Sequence, residues 1–423
     1  MATETPLEGD VDKRRREAVK EKLLFKNISL RHRLGVYGIV LLALLPTVMR
    51  PSELNEFIYV IYLMMFAISW DVVSGYTGQL SFGHAFFFAL GGYGTSIITN
   101  QHLFRMFDQA TLGAPATIGI ILIGILGGTL AAAIGGVLIG VPALRLEGPY
   151  LSLVTLIAPL LLYQTFIIFA EGFPVLAPDG LGGTGGLTQS AVSFVGIGRK
   201  AAVTVENTWV EAISLYYISF IALLIVLAVA YAVTRSAAGS VFTAIREDEA
   251  AVRSVGLNPA KFKIFAFVLS AAIGGFAAAV WMHTGPDAFP ATENVFGSGR
   301  IDLSIDVIVI AIIGGMGTIV GSIVGAILLS VTQTVVKSLS WLVIPGIGIS
   351  VADTEPLPTF LLGMFVLVFL PRGVVPALTR FGRRWLARRR GEEPPDVQGR
   401  SASESTLAKY REEIEDVLGR DNQ

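Results

Sequence analysis

The sequence predicts an all-α integral membrane protein whose helices cross the bilayer repeatedly. Of its 423 residues, 53% are hydrophobic and only 15% are charged, and the mean hydropathy is +0.65. Soluble proteins carry about 25% charged residues. Because a water-soluble globule of this length cannot hide so much apolar surface, we expect most of the chain to face lipid.

Ten apolar segments approach or exceed the length that crosses the roughly 30 Å hydrocarbon layer of a bilayer. They are residues 34–49, 57–73, 84–99, 115–140, 149–170, 213–233, 264–284, 303–317, 319–337 and 356–371. The sequence therefore predicts a polytopic bundle of about ten transmembrane helices within residues 34–371. The shorter segments are candidates for broken or re-entrant helices.

The distribution of positive charge predicts the orientation, because lysine and arginine concentrate in cytoplasmic loops. With the N-terminus inside, all but six of the 32 lysines and arginines fall on the cytoplasmic side. The six exceptions are Arg50, Arg105, Arg199, Lys200, Arg300 and Lys337. An even number of spans with both termini in the cytoplasm fits this distribution.

Charged segments flank the predicted bundle. Residues 1–33, which carry no cleavable signal peptide, and residues 372–423 read as charged cytoplasmic extensions. Between the spans, residues 171–212 form a long external loop that contains a glycine cluster at 180–186. That cluster fits either a surface loop or a folded external element.

Composition excludes several classes of protein. The chain has no cysteine, which excludes disulfides and thiolate chemistry, and its net charge of −1 gives no reason to expect nucleic acid as a partner. It contains no phosphate-binding loop, so we expect no bound nucleotide or other cofactor. No catalytic or metal-ligating cluster is recognisable, so we do not expect an enzyme.

The first functional candidate is the polar stretch Gly75–Ala85 between two apolar spans. Its glycines allow unusual backbone angles, and its polar side chains either satisfy backbone groups or face a substrate path. The candidates for a translocation path are Gly78, Gln79, Ser81, Gly83 and His84. The alternative is a plain cytoplasmic turn in which His84 caps a helix or bonds a carbonyl.

The second candidate is the cytoplasmic segment Gly239–Pro259. Residues 244–255 have helix-forming composition, and Gly256 is placed to end that helix. Such short helices form either a compact knob that docks in a groove of a partner, or an amphipathic loop helix on the lipid surface.

The third candidate is the glycine-rich stretch Gly314–Ala326. Gly317, Gly321 and Gly325 are spaced four apart, so the pattern predicts one helix face suited to close backbone packing. This glycine face either serves helix packing alone or also borders a translocation path. The path candidates here are Gly314, Gly315, Gly317 and Gly321.

Ionisable residues argue against an ion-coupled carrier, which stays as a less favoured alternative. Asp71, Asp306 and His283 are predicted near a membrane interface, where charge costs little. Ion-coupled carriers more often place charge near the midplane.

Together, these three stretches and the ending Phe369–Gly373 resemble the permease subunits of ATP-driven branched-chain amino acid importers of the LivM type. The resemblance covers roughly residues 35–375. It implies a prokaryotic plasma-membrane protein that pairs with a sister permease. It also implies two cytoplasmic ATPase subunits that use the ATP, and an external solute-binding protein.

In this family a cytoplasmic loop couples the permease to the ATPases, which here falls within residues 239–258. The implied coupling residues are Gly239, Ala244, Arg246, Glu249, Ala250, Ala251 and Gly256. The family pattern Glu-Ala-Ala, three residues, Gly has four intervening residues in this chain.

The resemblance implies a branched-chain, apolar amino acid as substrate. Close relatives carry urea or short amides, which stay as alternative substrates. The scarcity of charge inside the predicted spans is consistent with a neutral solute.

Overall fold

A computed structural model describes most of the chain. The described residues are 30–107, 112–144, 150–173, 176–187, 192–195, 201–203, 208–285, 291–292, 296, 302–339, 341 and 356–390. The chain divides into two compact units, residues 1–308 and 309–423. Most of the predicted tails, residues 1–29 and 391–423, lie outside the described residues.

The first unit is a bundle of helices. They are α1 (Leu30–Leu44), α2 (Pro51–Trp70), α3 (His84–Ser96), α4 (Ala114–Ala143), α5 (Tyr150–Ile168), α6 (Thr208–Thr234), α7 (Ala237–Glu247), α8 (Glu249–Ser254) and α9 (Pro259–Thr284). π-Helical turns extend α2 through Asp71–Gly75 and α3 through Ile97–Leu103. Strands β1 (Ser193–Val195) and β2 (Ala201–Val203) pair in parallel.

The boundary between the two units falls within α10 (Asp302–Gly314). The second unit continues with α11 (Ile319–Ser338), α12 (Pro356–Phe369) and α13 (Val374–Arg390). Part of the predicted charged C-terminal tail is therefore helical. In α13 the Arg389 guanidinium lies 4.0 Å from the centre of the Trp385 ring.

Six helices among the described residues are long and apolar enough to span a membrane, or seven if one bent pair counts as a span. The six are Pro51–Gly75, Ala114–Ala143, Tyr150–Ile168, Thr208–Thr234, Pro259–Thr284 and Ile319–Ser338, and the bent pair is Phe360–Phe369 with Val374–Gly382. The predicted segments 34–49, 84–99 and 303–317 are helical but do not meet these criteria. The structure thus has the predicted helical character and does not confirm a count of ten spans.

Helix α9 lies at the centre of the first unit and packs against α2, α3 and α4. Three glycines let these backbones meet. A Cβ atom on Gly91 of α3 would lie 2.2 Å from the carbonyl oxygen of Gly275 in α9, and one on Gly128 of α4 would lie 2.4 Å from that of Gly91. Glycine therefore allows close backbone packing between these helices.

Residues of the two long loops meet opposite ends of the bundle. Arg246 of α7 bonds the Gly75 carbonyl oxygen at the end of α2, whereas His283 near the end of α9 bonds the Val192 carbonyl oxygen beside β1. Lys263, on the α7 side, and His283 are separated by about 30 Å at the usual helical rise.

Helix α10 differs from the predicted span 303–317. It has only 13 residues, about 20 Å, which is too short to cross the hydrocarbon layer. Its Ser304 hydroxyl accepts a bond from the Ala85 N–H at the start of α3 (2.9 Å). This contact places the first turn of α10 beside the start of α3, and the predicted interface position of Asp306 stays a prediction.

Candidate functional site

The predicted polar stretch Gly75–Ala85 forms a tightly bonded turn between α2 and α3. Gly78 has φ +73°, a left-handed conformation that favours glycine. The Trp70 indole donates to the Ser81 carbonyl oxygen (2.7 Å), and the Ser74 hydroxyl donates to that of Gln79 (3.0 Å). The backbone of this turn is therefore held by side chains at the end of α2.

The same turn is fastened to α5. The Phe82 N–H donates to Thr155 Oγ1 (3.0 Å), and the Ser152 hydroxyl donates to the Leu80 carbonyl oxygen (2.9 Å). A Cβ atom on Gly83 would lie 2.0 Å from the Thr155 carbonyl oxygen, so only glycine fits there. For Gly83 the structure gives a packing reason, and its role in a path stays a prediction.

His84 does not cap a helix or bond a carbonyl, as the simpler prediction had it. It is fully buried, with Nε2 2.7 Å from Ser69 Oγ of α2 and 3.3 Å from Ser270 Oγ of α9. The Ser270 hydroxyl also donates to the Ser69 carbonyl oxygen (2.6 Å). His84 thus joins α2, α3 and α9 through neutral hydroxyl groups, and its Nδ1 has no hydrogen-bond partner among the described residues.

Next to His84, aromatic side chains from α2, α3 and α9 surround a cleft, here called the aromatic cleft. Its lining residues are Tyr59, Tyr62, Leu63, Phe66, Phe88, Trp281 and Leu303. The Tyr62 ring lies 5.6 Å from that of Phe88 and 5.0 Å from that of Trp281, centre to centre. These residues carry no charge, and Tyr62 lies near the middle of the 25-residue span Pro51–Gly75.

The predicted coupling segment forms two short helices, α7 and α8, which together with the turn to Asn258 are here called the knob (residues 237–258). The predicted helix 244–255 is broken at Asp248, which is extended and accepts bonds from the N–H groups of Ala250 (2.8 Å) and Ala251 (3.0 Å). The extended backbone of Asp248 ends α7, and its side chain caps the N-terminus of α8. The sequence did not predict this break.

The knob buries one face and exposes the other. Phe242, Ile245 and Val252 are buried against the bundle. The exposed residues include small side chains and two apolar ones at the tip, and they are Ala244, Ala250, Ala251, Val255, Gly256 and Leu257. Gly256 has φ +83° and follows α8, as predicted, although the helix itself already ends at Ser254.

Gly239 permits the sharp turn from α6 into the knob. A Cβ atom there would lie 2.2 Å from the Thr234 carbonyl oxygen. The Ser236 hydroxyl caps α7 by accepting from the Gly239 N–H (3.5 Å). Gly239 is therefore a buried residue needed for the turn, and it is not part of the exposed face of the knob.

Two polar contacts fasten the knob to the bundle. Arg246 donates to the Gly75 carbonyl oxygen at 2.6 Å, and its side chain crosses Gly78, where a Cβ atom would lie 3.2 Å from Arg246 Cγ. The first and second predicted stretches therefore meet. Lys263 Nζ of α9 donates to both carboxylate oxygens of Glu249, at 3.1 and 3.0 Å.

Glu249 is also bonded by Arg253 one turn along α8 (2.7 Å). Partial burial raises the pKa of Glu249, but the hydrogen bonds and positive charges of Lys263 and Arg253 outweigh burial and hold the pKa below its ordinary value. Glu249 was predicted as a coupling residue of the loop, and within the chain it joins α8 to α9.

The glycine stretch of the second unit is a packing seam. A Cβ atom on Gly314 would lie 1.8 Å from the Gly321 carbonyl oxygen, and one on Gly325 would lie 2.0 Å from that of Ile310, so α10 and α11 touch backbone to backbone. Gly317 is not on this helix face, contrary to the spacing argument. It lies before α11, with φ +76°.

The end of α12 closes on the same turn. A Cβ atom on Gly373, which has φ +83°, would lie 2.4 Å from Gly315 Cα, and Gly315 itself has φ +116°. The terminal pattern Phe369–Gly373 thus has a structural role beside Gly315.

His283 and Asp71 lie inside the protein at opposite ends of the bundle, and their predicted position near a membrane interface stays a prediction. His283 is buried, with Nε2 2.9 Å from Thr95 Oγ1. Asp71 is buried in the π-helical end of α2.

The glycine cluster at 180–186 is a folded element, because the Gln101 side chain donates to the Gly180 carbonyl oxygen (3.1 Å) and Leu181 is buried.

Sequence reasoning missed three features of this site. The glycines Gly91, Gly128 and Gly275 were not singled out, although small residues four apart on α4 signal close packing. Lys263, at the edge of the predicted span 264–284, was not singled out, although a lysine beside an apolar span signals a partner. The aromatic cleft leaves no signal in the sequence, because its lining comes from distant segments.

Comparison with known proteins decides the family. A family model described as "Branched-chain amino acid transport system / permease component" matches residues 54–370, most of the chain. The chain belongs to this family. It is accordingly an all-α, multi-pass membrane transport permease of the ABC type, as the sequence resemblance implied.

Two curated relatives are similar to this permease. They are the high-affinity branched-chain amino acid transport system permease proteins LivM of Escherichia coli and Salmonella typhimurium, each 27% identical over 294 residues. The match covers 66% of this chain and spans 61% of each relative's length. No solved structure matches the chain.

Proposed function

We propose that this chain is a membrane-spanning permease subunit of an ATP-driven importer for branched-chain amino acids. An external solute-binding protein would deliver the substrate, and a sister permease and two ATPase subunits would complete the complex. The permease would lie in the plasma membrane of a prokaryote with both termini in the cytoplasm. It binds no nucleotide itself in this proposal, because ATP is used by the partner subunits.

The observation that carries this proposal is the knob. It projects its small and apolar residues, Ala251, Val255 and Leu257 among them, while its other face and two polar contacts hold it to α2 and α9. A compact element of this kind suits a groove in a partner better than a lipid surface, because its buried face is already occupied by the bundle. The ATPase subunit is the partner that such a family member needs.

The aromatic cleft supports an apolar substrate. Rings and aliphatic side chains line it, and hydrocarbon side chains gain from burial against such surfaces. Urea offers no hydrocarbon group for these contacts and short amides offer only a small one, so the apolar lining favours an aliphatic side chain over urea most clearly.

The coupling role is tested by placing a bulky charge on the exposed face. Ala251→Arg should abolish uptake and weaken ATPase binding by about tenfold or more while the permease keeps its melting temperature, since exposed substitutions change stability little. Ala116→Arg, which alters an exposed alanine in the first turn of α4, is the matched control. Unchanged ATPase binding and uptake in Ala251→Arg would refute the coupling role.

A further inference from the structure

We propose that Lys263 is the positioning residue that carries motion of the knob into α9, through its ion pair with Glu249. This inference rests on the proposed function, since it assigns the connection between the ATPase-facing knob and the transmembrane bundle. The Glu249–Lys263 pair is here called the α9 strut, and the bond from Arg246 to Gly75 is called the α2 strut.

The α9 strut differs from an ordinary surface ion pair. The Lys263 side chain is only 8% exposed, and its ammonium contacts both oxygens of the Glu249 carboxylate. Exposed pairs contribute little, but removing one partner of a buried pair leaves a costly uncompensated charge. When the knob moves, Lys263 is therefore constrained to follow Glu249.

Arg253 provides an internal comparison. It bonds the same carboxylate at 2.7 Å, but its side chain is 55% exposed and it lies on α8 itself. Its contact therefore links the knob only to itself. Lys263 alone, of the two cations, joins that carboxylate to a membrane-spanning helix.

The α2 strut gives the knob a second point of attachment. The Arg246 guanidinium bonds the Gly75 carbonyl oxygen at the C-terminal end of α2, where a helix favours positive charge. Gly78 leaves room for the arginine side chain to lie across the turn. A displacement of the knob thus acts on α2 and α9 together.

These two helices also hold the groups of the His84 junction and of the aromatic cleft. α2 supplies Ser69 and Tyr62, and α9 supplies Ser270 and Trp281, so both the His84 junction and the aromatic cleft lie between them. Relative movement of α2 and α9 would therefore reshape the cleft. Lys263 lies closer to the knob than any of these groups, and it carries the movement along α9.

The test measures solute imported per ATP hydrolysed by the complete reconstituted complex. Lys263→Met keeps the side-chain length without the charge, and it should lower this ratio about tenfold, which corresponds to roughly 1.4 kcal/mol of lost coupling. ATP hydrolysis and ATPase binding should persist. Lys261→Met, which removes an exposed lysine from the same helix outside the knob, is the matched control and should keep the wild-type ratio.

A second variant covers the case in which Lys263→Met does not fold. Glu249→Asp keeps both charges and shortens the reach, so it should also lower the ratio while the complex still assembles. An unchanged ratio in a folded Lys263→Met or Glu249→Asp complex would overturn the inference. Solute uptake by the wild-type complex that does not depend on ATP would instead refute the proposed function.

Discussion

At the scale of single residues, two buried tyrosines allow a position inside the aromatic cleft to be compared with one outside it. Tyr62 and Tyr93 both bury their hydroxyls without a hydrogen-bond partner in the part of the chain that the structure describes. They differ in place: Tyr62 lines the aromatic cleft, whereas Tyr93 is stacked on Phe166, 4.1 Å between ring centres. A buried polar group left unpaired costs about 1–3 kcal/mol.

This pair gives a matched test of the cleft. Tyr62→Phe should raise the apparent KM for the transported amino acid about fivefold to tenfold, since one hydrogen bond contributes roughly 1 kcal/mol. Tyr93→Phe removes an equally buried hydroxyl outside the cleft and should leave KM unchanged. The measurement is the transport kinetics of both variants in the reconstituted complex. Equal effects of the two variants on KM would contradict a role of the aromatic cleft in substrate binding.

At the scale of elements, the knob depends on the charge of Glu249. Because the folded state lowers the pKa of Glu249, its ion pair stabilises the protein fully above the unfolded glutamate value of about 4.3, and this stabilisation fades as the pH falls through the lower folded value. The wild type should therefore melt at a higher temperature than Glu249→Gln at neutral pH.

The difference in melting temperature between wild type and Glu249→Gln should shrink as the pH falls below about 4.3. Thermal melting in detergent across that range measures it. A difference that stays constant with pH would mean that the carboxylate charge does not hold α8 to α9.

Sequence patterns predicted some elements better than others, for physical reasons. Long apolar runs such as those that form α4, α6 and α9 are unambiguous, because few structures other than a spanning helix accommodate them. The short helices α3 and α10 are buried by neighbouring protein rather than lipid, so their length misleads a hydropathy argument. The break at Asp248 was missed because a capping carboxylate and a helical surface carboxylate look alike in sequence.

The functional residues divide in the same way. Gly256 was recognised because a glycine that follows a helical segment is a local stop signal, whereas the close approach of Thr155 to Gly83 leaves no local signal. The partners of His84 and Lys263 lie 15 and 14 residues away along the chain, which no local pattern connects. The roles of the candidate path residues in transport stay predictions.

At the scale of the whole molecule, the two long loops should face opposite sides of the membrane. Since the chain has no cysteine, single cysteines report sidedness without further engineering. Val203→Cys in β2 and Val255→Cys in the knob replace exposed residues. A membrane-impermeant maleimide should label Val203→Cys from outside intact cells and Val255→Cys only in inverted vesicles. Labelling of both from one side would contradict the proposed orientation.

The central claim is that this bundle moves solute only when nucleotide-hydrolysing partners act on it. The most direct measurement is uptake of a branched-chain amino acid into proteoliposomes with ion gradients collapsed, comparing the complete complex plus ATP with the permease alone. We expect uptake to require both the ATPase subunits and ATP. Concentrative uptake by the permease alone, driven by an ion gradient without nucleotide hydrolysis, would contradict it.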